Sequence, residues 1–518
     1  MQDCLLISRD TRVYLSGNCN CGPGMSRSLS VSETVPLLIP DPETQAWRPM
    51  SKQELRLAAG GRGWRSVRLV LVVVFWLCWL GMLAAAVTII VRSPRPAAPP
   101  LLWWQGALFY RIQPSVFMDA QTQVPAGVDA VCERLPYLKS LGVGAVILEE
   151  LFRRDASPTN LTSIDRRVGI LPQVHKLFVE SHKEGIKLVL SLCNLDLFGH
   201  QHSVGNNSNG TSELFGSIQN ALQFWLDQGV SGFEICDTDA AYSTKILTEW
   251  RALFKVFSTP DDERIIMVKQ TGESLSPLNT FGPSTNQSLV EMVTRSLLPH
   301  ARHPLSSQEV AVAMERHLST PPGHIWPSWT VGGEATPVLH RILLVLMMTL
   351  PGSPVVKYGE ETVPSSNVSA QIWEGEPVTT PGQGNSIGEP KINPSASALF
   401  RSLSHSRLRE ESLLYGTFTF LPFNTTSSNP ANGTLGPESD SVLAFLRSWG
   451  CVHFLVLLNL GPETRVLDPA WAPWLPTEGV FVASTGLDRL GATSLETLRL
   501  QPEEAVVIKL FESGSYSP

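Results

Sequence analysis

The 518-residue sequence predicts an α/β protein with one transmembrane helix, a barrel of alternating strands and helices, and a C-terminal antiparallel β domain. Three observations carry this reading. One run near the N-terminus is long, apolar and free of charge. From about Leu101 to His405, short apolar runs alternate with stretches of helical spacing. After about Glu410 the helical spacing fades, and strand-like runs separated by turn residues take over.

The apolar run is "LVLVVVFWLCWLGMLAAAVTIIV", Leu69–Val91, 23 residues without a charge. As a helix at 1.5 Å per residue it spans roughly 35 Å, enough for a hydrocarbon core of about 30 Å. The rival reading is a secretory signal peptide, which would lie nearer the N-terminus, be shorter and precede a cleavage site. The expected division is a cytosolic tail at 1–66, a transmembrane helix at 67–91 and a Pro-rich spacer at 92–100. Arg56, Arg62, Arg65 and Arg68 precede the run, and only Arg92 and Arg95 follow closely, so the positive-inside rule places the N-terminus in the cytosol. Asn160, Asn206, Asn209, Asn286, Asn367, Asn424 and Asn432 each head an N-x-S/T triplet, all after the anchor, which agrees with a lumenal C-terminal portion.

A net charge of −7 without a basic block gives no indication of nucleic acid. Cys4, Cys19 and Cys21 precede the anchor and Cys78 lies in it; only Cys132, Cys193, Cys236 and Cys451 face an oxidising space, too few for a disulfide scaffold. The "CNC" of Cys19–Cys21 lacks a nearby third metal ligand. His182, His200 and His202 sit on a predicted helix and a Gly/Asn-rich loop, and with Glu149 and Glu150 they supply no compact ligand set. No cofactor is expected.

Residues 1–50 show no sustained period. "SKQELRLAAG", Ser51–Gly60, reads as a short helix with Ser51 as N-cap and Glu54 completing a capping box. Beyond the spacer, "ALFYRI", "VGAVILEE", "IKLVLSLC", "VSGFEIC", "RIIMVK", "HIWPSWTV" and "SPVVKY" are strand candidates, most followed by a helical stretch, with a further unit around Ser288–Pro304. Near-continuous apolar strands between helices mean a parallel sheet covered on both sides, and this many units suit a (β/α)8 TIM-type barrel over 101–409. "GTFTFL", "SVLAFLRS", "VHFLVLLNL" and "EAVVIKLF" form the antiparallel β domain over 410–518.

A barrel followed by such a domain, with "GFEICD" on the fourth strand and "LPGSPVVKYGEE" on the eighth, resembles the α-amylase (glycoside hydrolase) superfamily across nearly all of 101–518. In that family two carboxyl groups flank the glycosidic bond. The resemblance puts Glu234 at the arginine of the Gly-Phe-Arg-x-Asp motif and Cys236 at its nucleophile. It puts Lys269 at the fifth-strand acid. In "WTVGGEA", Glu334 and Ala335 stand at the histidine and aspartate of the seventh-strand motif. All three carboxylates are then missing, and no hydrolysis is expected. Asp237 adjoins the nucleophile position but, one step along a strand, faces the other way. Glu234, Asp237 and Asp239 read as a solvated rim, with Glu234 paired to Lys269. Cys193 and Cys236 end neighbouring strands within disulfide reach. Parallel neighbours rarely aim both Cβ vectors at each other, so two buried free thiols are expected.

"MSKQELRLAAGGRGW" and "FWLCWLGMLAAAVTIIVRSPR" resemble the heavy chain of heteromeric amino-acid transporters, the 4F2 cell-surface antigen type. The resemblance implies a plasma-membrane type II glycoprotein that binds, stabilises and delivers a multispanning light chain. That family carries a linking cysteine where this chain has Pro96, so the partnership is expected to be non-covalent. It would rest on docking after the anchor and on close helix packing at Gly81, Ala84 and Ala85. Two alternatives stay open: a membrane-anchored α-glucosidase, and an adhesion or signalling glycoprotein without a transporter partner.

Overall fold

In the computed structural model, the described residues are 50–92, 100–117, 127–153, 161–193, 195, 208–237, 244–271, 288–298, 325–333, 335–362, 394–421, 442–467 and 473–511. The chain divides into two units, residues 5–97 and residues 98–518 together with 1–4.

In the first unit, the helix Lys52–Ala59 opens on the expected capping box. The Glu54 amide donates to Ser51 Oγ at 3.4 Å, and the Ser51 amide donates to Glu54 Oε2 at 3.0 Å. One continuous helix then runs Arg62–Arg92. Its segment Gly63–Ile89 is long and apolar enough to cross a membrane.

In the second unit, eight parallel strands close into a barrel in sequence order: β1 Phe109–Ile112, β2 Ala145–Leu148, β3 Lys187–Ser191, β4 Gly232–Cys236, β5 Ile265–Lys269, β6 Met292–Ser296, β7 Trp326–Thr330 and β8 Ser353–Lys357. The sixth lies within the further unit expected around Ser288–Pro304. Among the described helices of this part are Gly127–Ser140, Leu171–Glu184, Ser208–Asp227, Thr244–Phe257 and Pro337–Thr349. Strand alternation divides the apolar residues into two clusters. Phe109, Ala145, Ile147, Val189, Ile265, Met267, Met292 and Val355 fill the lumen. Tyr110, Val146, Leu148, Leu190, Phe233, Ile235, Ile266 and Val268 face outward to the helices. Gly232 belongs to the lumenal parity, and a Cβ there would meet Ile265 Cγ1 at 2.5 Å and its carbonyl oxygen at 2.6 Å. Its missing side chain is what admits Ile265 to the lumen.

The helix Pro394–Arg409, not distinguished by the sequence pattern, ends the barrel part. The remaining strands are β9 Thr417–Leu421, β10 Val442–Trp449, β11 Val452–Asn459, β12 Arg465–Val466, β13 Glu478–Ser484, β14 Ala492–Ser494, β15 Arg499–Leu500 and β16 Glu504–Phe511. Six of them form one antiparallel sheet in the order β14-β13-β16-β11-β10-β9, and β12 pairs with β15. One sheet face contributes Phe445, Phe454, Val456 and Val507 to the cluster that holds Leu343 and Met347 of the barrel helix Pro337–Thr349. The other face buries Ala444, Leu455, Leu457 and Ile508 beneath Leu495, Leu498 and Leu500. Burying both faces explains why β10, β11 and β16 read as continuous apolar runs.

Candidate functional site

In a parallel barrel the C-terminal strand ends present the residues that meet a ligand. Here several of those lumenal positions are polar, and from β1 to β5 the charged ones at the C-terminal end pair with one another. Arg111 of β1 is 3% exposed and Glu234 of β4 is 0% exposed. They meet as fork on fork, with Arg111 Nη1 donating to Glu234 Oε2 at 2.7 Å and Nη2 to Oε1 at 2.6 Å. Arg111 Nη1 also donates to Glu149 Oε1 at 2.5 Å. Ser191 Oγ of β3 donates to Glu234 Oε2 at 2.9 Å, and Gln113 Nε2 to Glu149 Oε2 at 2.9 Å. Lys269 Nζ of β5 lies 3.4 Å from Glu149 Oε1.

The four charges in this set, Arg111, Lys269, Glu149 and Glu234, sum to zero. Burial works against the Arg111 charge, but Glu234 and Glu149 outweigh it and hold its pKa above the ordinary value. Burial likewise pushes the Glu149 carboxyl up, and Arg111, then Lys269, overcome it and bring the value down to about 2. Buried ions endure only when paired and hydrogen-bonded, as these are.

Three expectations are corrected by this geometry. Glu234 and Asp237 are buried and form no solvated rim; Asp239 lies outside the described residues. Lys269 pairs with Glu149, because Arg111 has already taken both oxygens of Glu234. Cys193 and Cys236 are joined in a disulfide, with Cα atoms 4.8 Å apart. The register that pairs Ser191 with Glu234, continued two residues, puts Cys193 opposite Cys236. Cys193 lies in a turn past the end of β3, so its Cβ escapes the direction the pleat would impose. Asp237 does face away from Cys236: its Oδ1 accepts from the Thr271 amide at 3.1 Å and from Thr271 Oγ1.

Ala335 is half-buried against the barrel core. Glu334 lies outside the described residues, as do Pro96, His200, His202 and the sequons at Asn160, Asn206, Asn286, Asn367, Asn424 and Asn432. Asn209 is the second residue of the helix Ser208–Asp227. Gly81, Ala84 and Ala85 lie on the long apolar helix, and a Cβ at Gly81 would meet nothing within 4 Å. Thr88 Oγ1 donates to the Ala84 carbonyl at 2.7 Å. Among the described residues, no group of three His, Cys, Asp or Glu side chains could hold a metal ion. Sequence reasoning misses Arg111, the centre of the network. Its signal is a charge inside the otherwise apolar "ALFYRI", on the same parity as lumenal Phe109.

Comparison with known proteins places this geometry in a lineage. Residues 38–110 match the family model described as "Solute carrier family 3 member 2 N-terminus". The chain is 30% identical to the amino acid transporter heavy chain SLC3A2 of Oryctolagus cuniculus over 495 residues, covering 89% of this chain and 87% of that protein. It is 28% identical to the protein of the same name from Rattus norvegicus, covering 89% and 88%. Among solved structures it resembles the α-amylase of Geobacillus thermoleovorans, with a TM-score of 0.54 and 15% identity over 79% of this chain and 99% of that one, a likeness of fold alone. A membrane-length apolar helix ahead of an α-amylase-like barrel, and the heavy-chain relatives matched along nearly the whole length, agree on one assignment: the chain belongs to the amino acid transporter heavy chain family, of the SLC3A2 type.

Proposed function

We propose that this heavy chain is a non-catalytic type II subunit of the plasma membrane that binds a multispanning amino-acid transporter light chain, stabilises it and delivers it to the surface. The observation that carries the non-catalytic reading is the self-paired lumen. Where the resemblance puts a glycosidase nucleophile, Cys236 is tied to Cys193. Where it puts the acid, Lys269 is a cation beside Glu149. The carboxylate nearest by parity, Glu234, is occupied by Arg111 and Ser191. Hydrolysis needs one carboxyl to attack and another to protonate, and neither is supplied.

Association with the light chain rests on non-covalent contact, since Pro96 stands where the family carries its linking cysteine. Gly81, with Ala84 and Ala85, lets a second helix approach closely. The sequons and the arginine bias support an N-terminus in the cytosol.

The catalytic arm is tested with maltose and an aryl α-glucoside. The purified protein is expected to give no turnover above a buffer blank, and Cys236→Asp alone to restore none, because the proton donor is still missing. Turnover by the unaltered protein that disappears on changing one named carboxylate would establish the α-glucosidase reading instead.

A further inference from the structure

We propose that the Cys193–Cys236 disulfide is a thiol-exchange site at the barrel mouth: a small thiol takes Cys193, and Cys236 departs beside Lys269. The proposal is independent of the light-chain reading and stands or falls on the barrel alone.

The two sulfurs are unequal in access. Cys236 ends β4 and is 6% exposed, whereas Cys193 is half-buried in the turn after β3. An incoming thiolate therefore meets Cys193 first. They are also unequal in electrostatic setting. Cys236 and Lys269 are register partners on β4 and β5, so their side chains share the lumenal face at about the 4.8 Å strand spacing. Lys269 reaches into that lumen, as its contact with Glu149 of the β2 end requires. The carboxylate next in sequence, Asp237, is turned to Thr271 on the opposite face. A developing negative charge on Cys236 thus has a cation beside it, and a better-stabilised leaving thiolate leaves faster.

The balance is that of ordinary exchange. The thiolate RS⁻ attacks Cys193 Sγ; the R–S–S–Cys193 bond forms as the Cys193–Cys236 bond breaks, and its electron pair leaves on Cys236. A second RS⁻ attacks the small thiol's sulfur, yielding RSSR and the Cys193 thiolate. Both protein thiolates take protons from water, and two thiols have been oxidised for one disulfide reduced.

The barrel does not depend on the bridge for its ladder. The Leu192 amide donates to the Glu234 carbonyl at 2.8 Å, and the Asp237 amide to the Lys269 carbonyl at 3.0 Å. These bonds flank the sulfurs and remain when the bridge opens, so exchange frees the turn after β3 without opening the sheet.

The test uses the full chain in detergent micelles with reduced glutathione as the probe, followed by acid quench, alkylation and peptide mapping. Glutathione is expected on Cys193 and the alkyl label on Cys236, with the thermal transition still present. Lys269→Met is expected to slow adduct formation about threefold or more, and Lys269→Arg to restore it. The proposal is overturned by adducts mainly on Cys236, by exchange that begins only where denaturant unfolds the barrel, or by an unchanged rate in a folded Lys269→Met protein. Two free thiols in the untreated protein would overturn it as well, and adduct position in the unaltered chain decides the matter even where a variant fails to fold.

Discussion

At the scale of single residues, the charges in the barrel lumen are held by pairing. Removing one member of a buried ion set strands its partner, at a cost of about 3–5 kcal/mol, whereas replacing both by apolar groups of similar volume is often nearly neutral. Glu234→Leu is therefore expected to lower unfolding stability by about 3–5 kcal/mol, and Arg111→Met with Glu234→Leu to recover most of it. Denaturant unfolding of the three proteins reads this directly; an additive double variant would mean that the pair is not coupled. The same network has a pH signature. The folded Glu149 value of about 2 lies below the unfolded carboxylate value, so the folded state binds fewer protons between the two. That contribution is complete above about 4.5 and is lost as pH falls toward 2. Glu149→Gln is expected to flatten the stability profile in that window, measured by thermal unfolding from pH 2 to 6. Glu360 works in the opposite direction: burial pushes its carboxyl up to about 7, so its contribution is present below 4.5 and fades as pH rises through 7. What the sequence offered at this scale was the identity of the residues at the strand ends, Glu234, Cys236 and Lys269 among them. Their partners were not legible, because Arg111 and Glu234 lie 123 residues apart and meet only through barrel closure.

Among the elements, the barrel strands were the most legible. "VSGFEIC" and "RIIMVK" became β4 and β5 because strands covered on both faces have little choice but to be apolar. The helix Pro394–Arg409 was not, since its sequence carries serines at spaced positions and a weakly amphipathic face. It nevertheless supplies Arg407, whose Nη1 donates to the Met348 and Leu350 carbonyls at 2.8 and 3.1 Å, and whose Nη2 donates to Gly352. Arg447 of β10 joins it, donating to the carbonyls of Thr349 at 2.8 Å, Leu413 at 2.8 Å and Gly416 at 3.2 Å. Both guanidinium groups thus end the barrel helix Pro337–Thr349, where unpaired carbonyls and the negative end of the helix dipole collect. Burial lowers Arg407 to about 10; burial, and then the Arg407 charge, lower Arg447 to about 9. Arg447 fastens the C-terminal sheet to the barrel helix, and Arg407 fastens the helix Pro394–Arg409 to the same helix end. Arg447→Met leaves three buried carbonyls without their donor and is expected to cost about 1–3 kcal/mol. Limited proteolysis should then cut sooner between the barrel and β9, while an unchanged cleavage rate would remove Arg447 from this role.

For the whole molecule, the heavy-chain relationship, a membrane-length helix among the described residues and an amylase-like barrel support the proposed reading of a subunit that works by association. The sequence disclosed the order of these parts, because each is written in its own period: unbroken apolar, alternating strand and helix, then strand alone. It brought Cys193 and Cys236 within reach but not into a bridge, because pairing depended on a turn whose path is set by the closed sheet. Co-purification reads whether a light chain is held without a disulfide. The tagged full chain is isolated from cells in a mild detergent, and its companions are identified by mass spectrometry before and after SDS without reductant. A multispanning amino-acid transporter is expected to stay bound in mild detergent and to be released by SDS alone. Recovery of the chain with no multispanning companion would contradict that expectation.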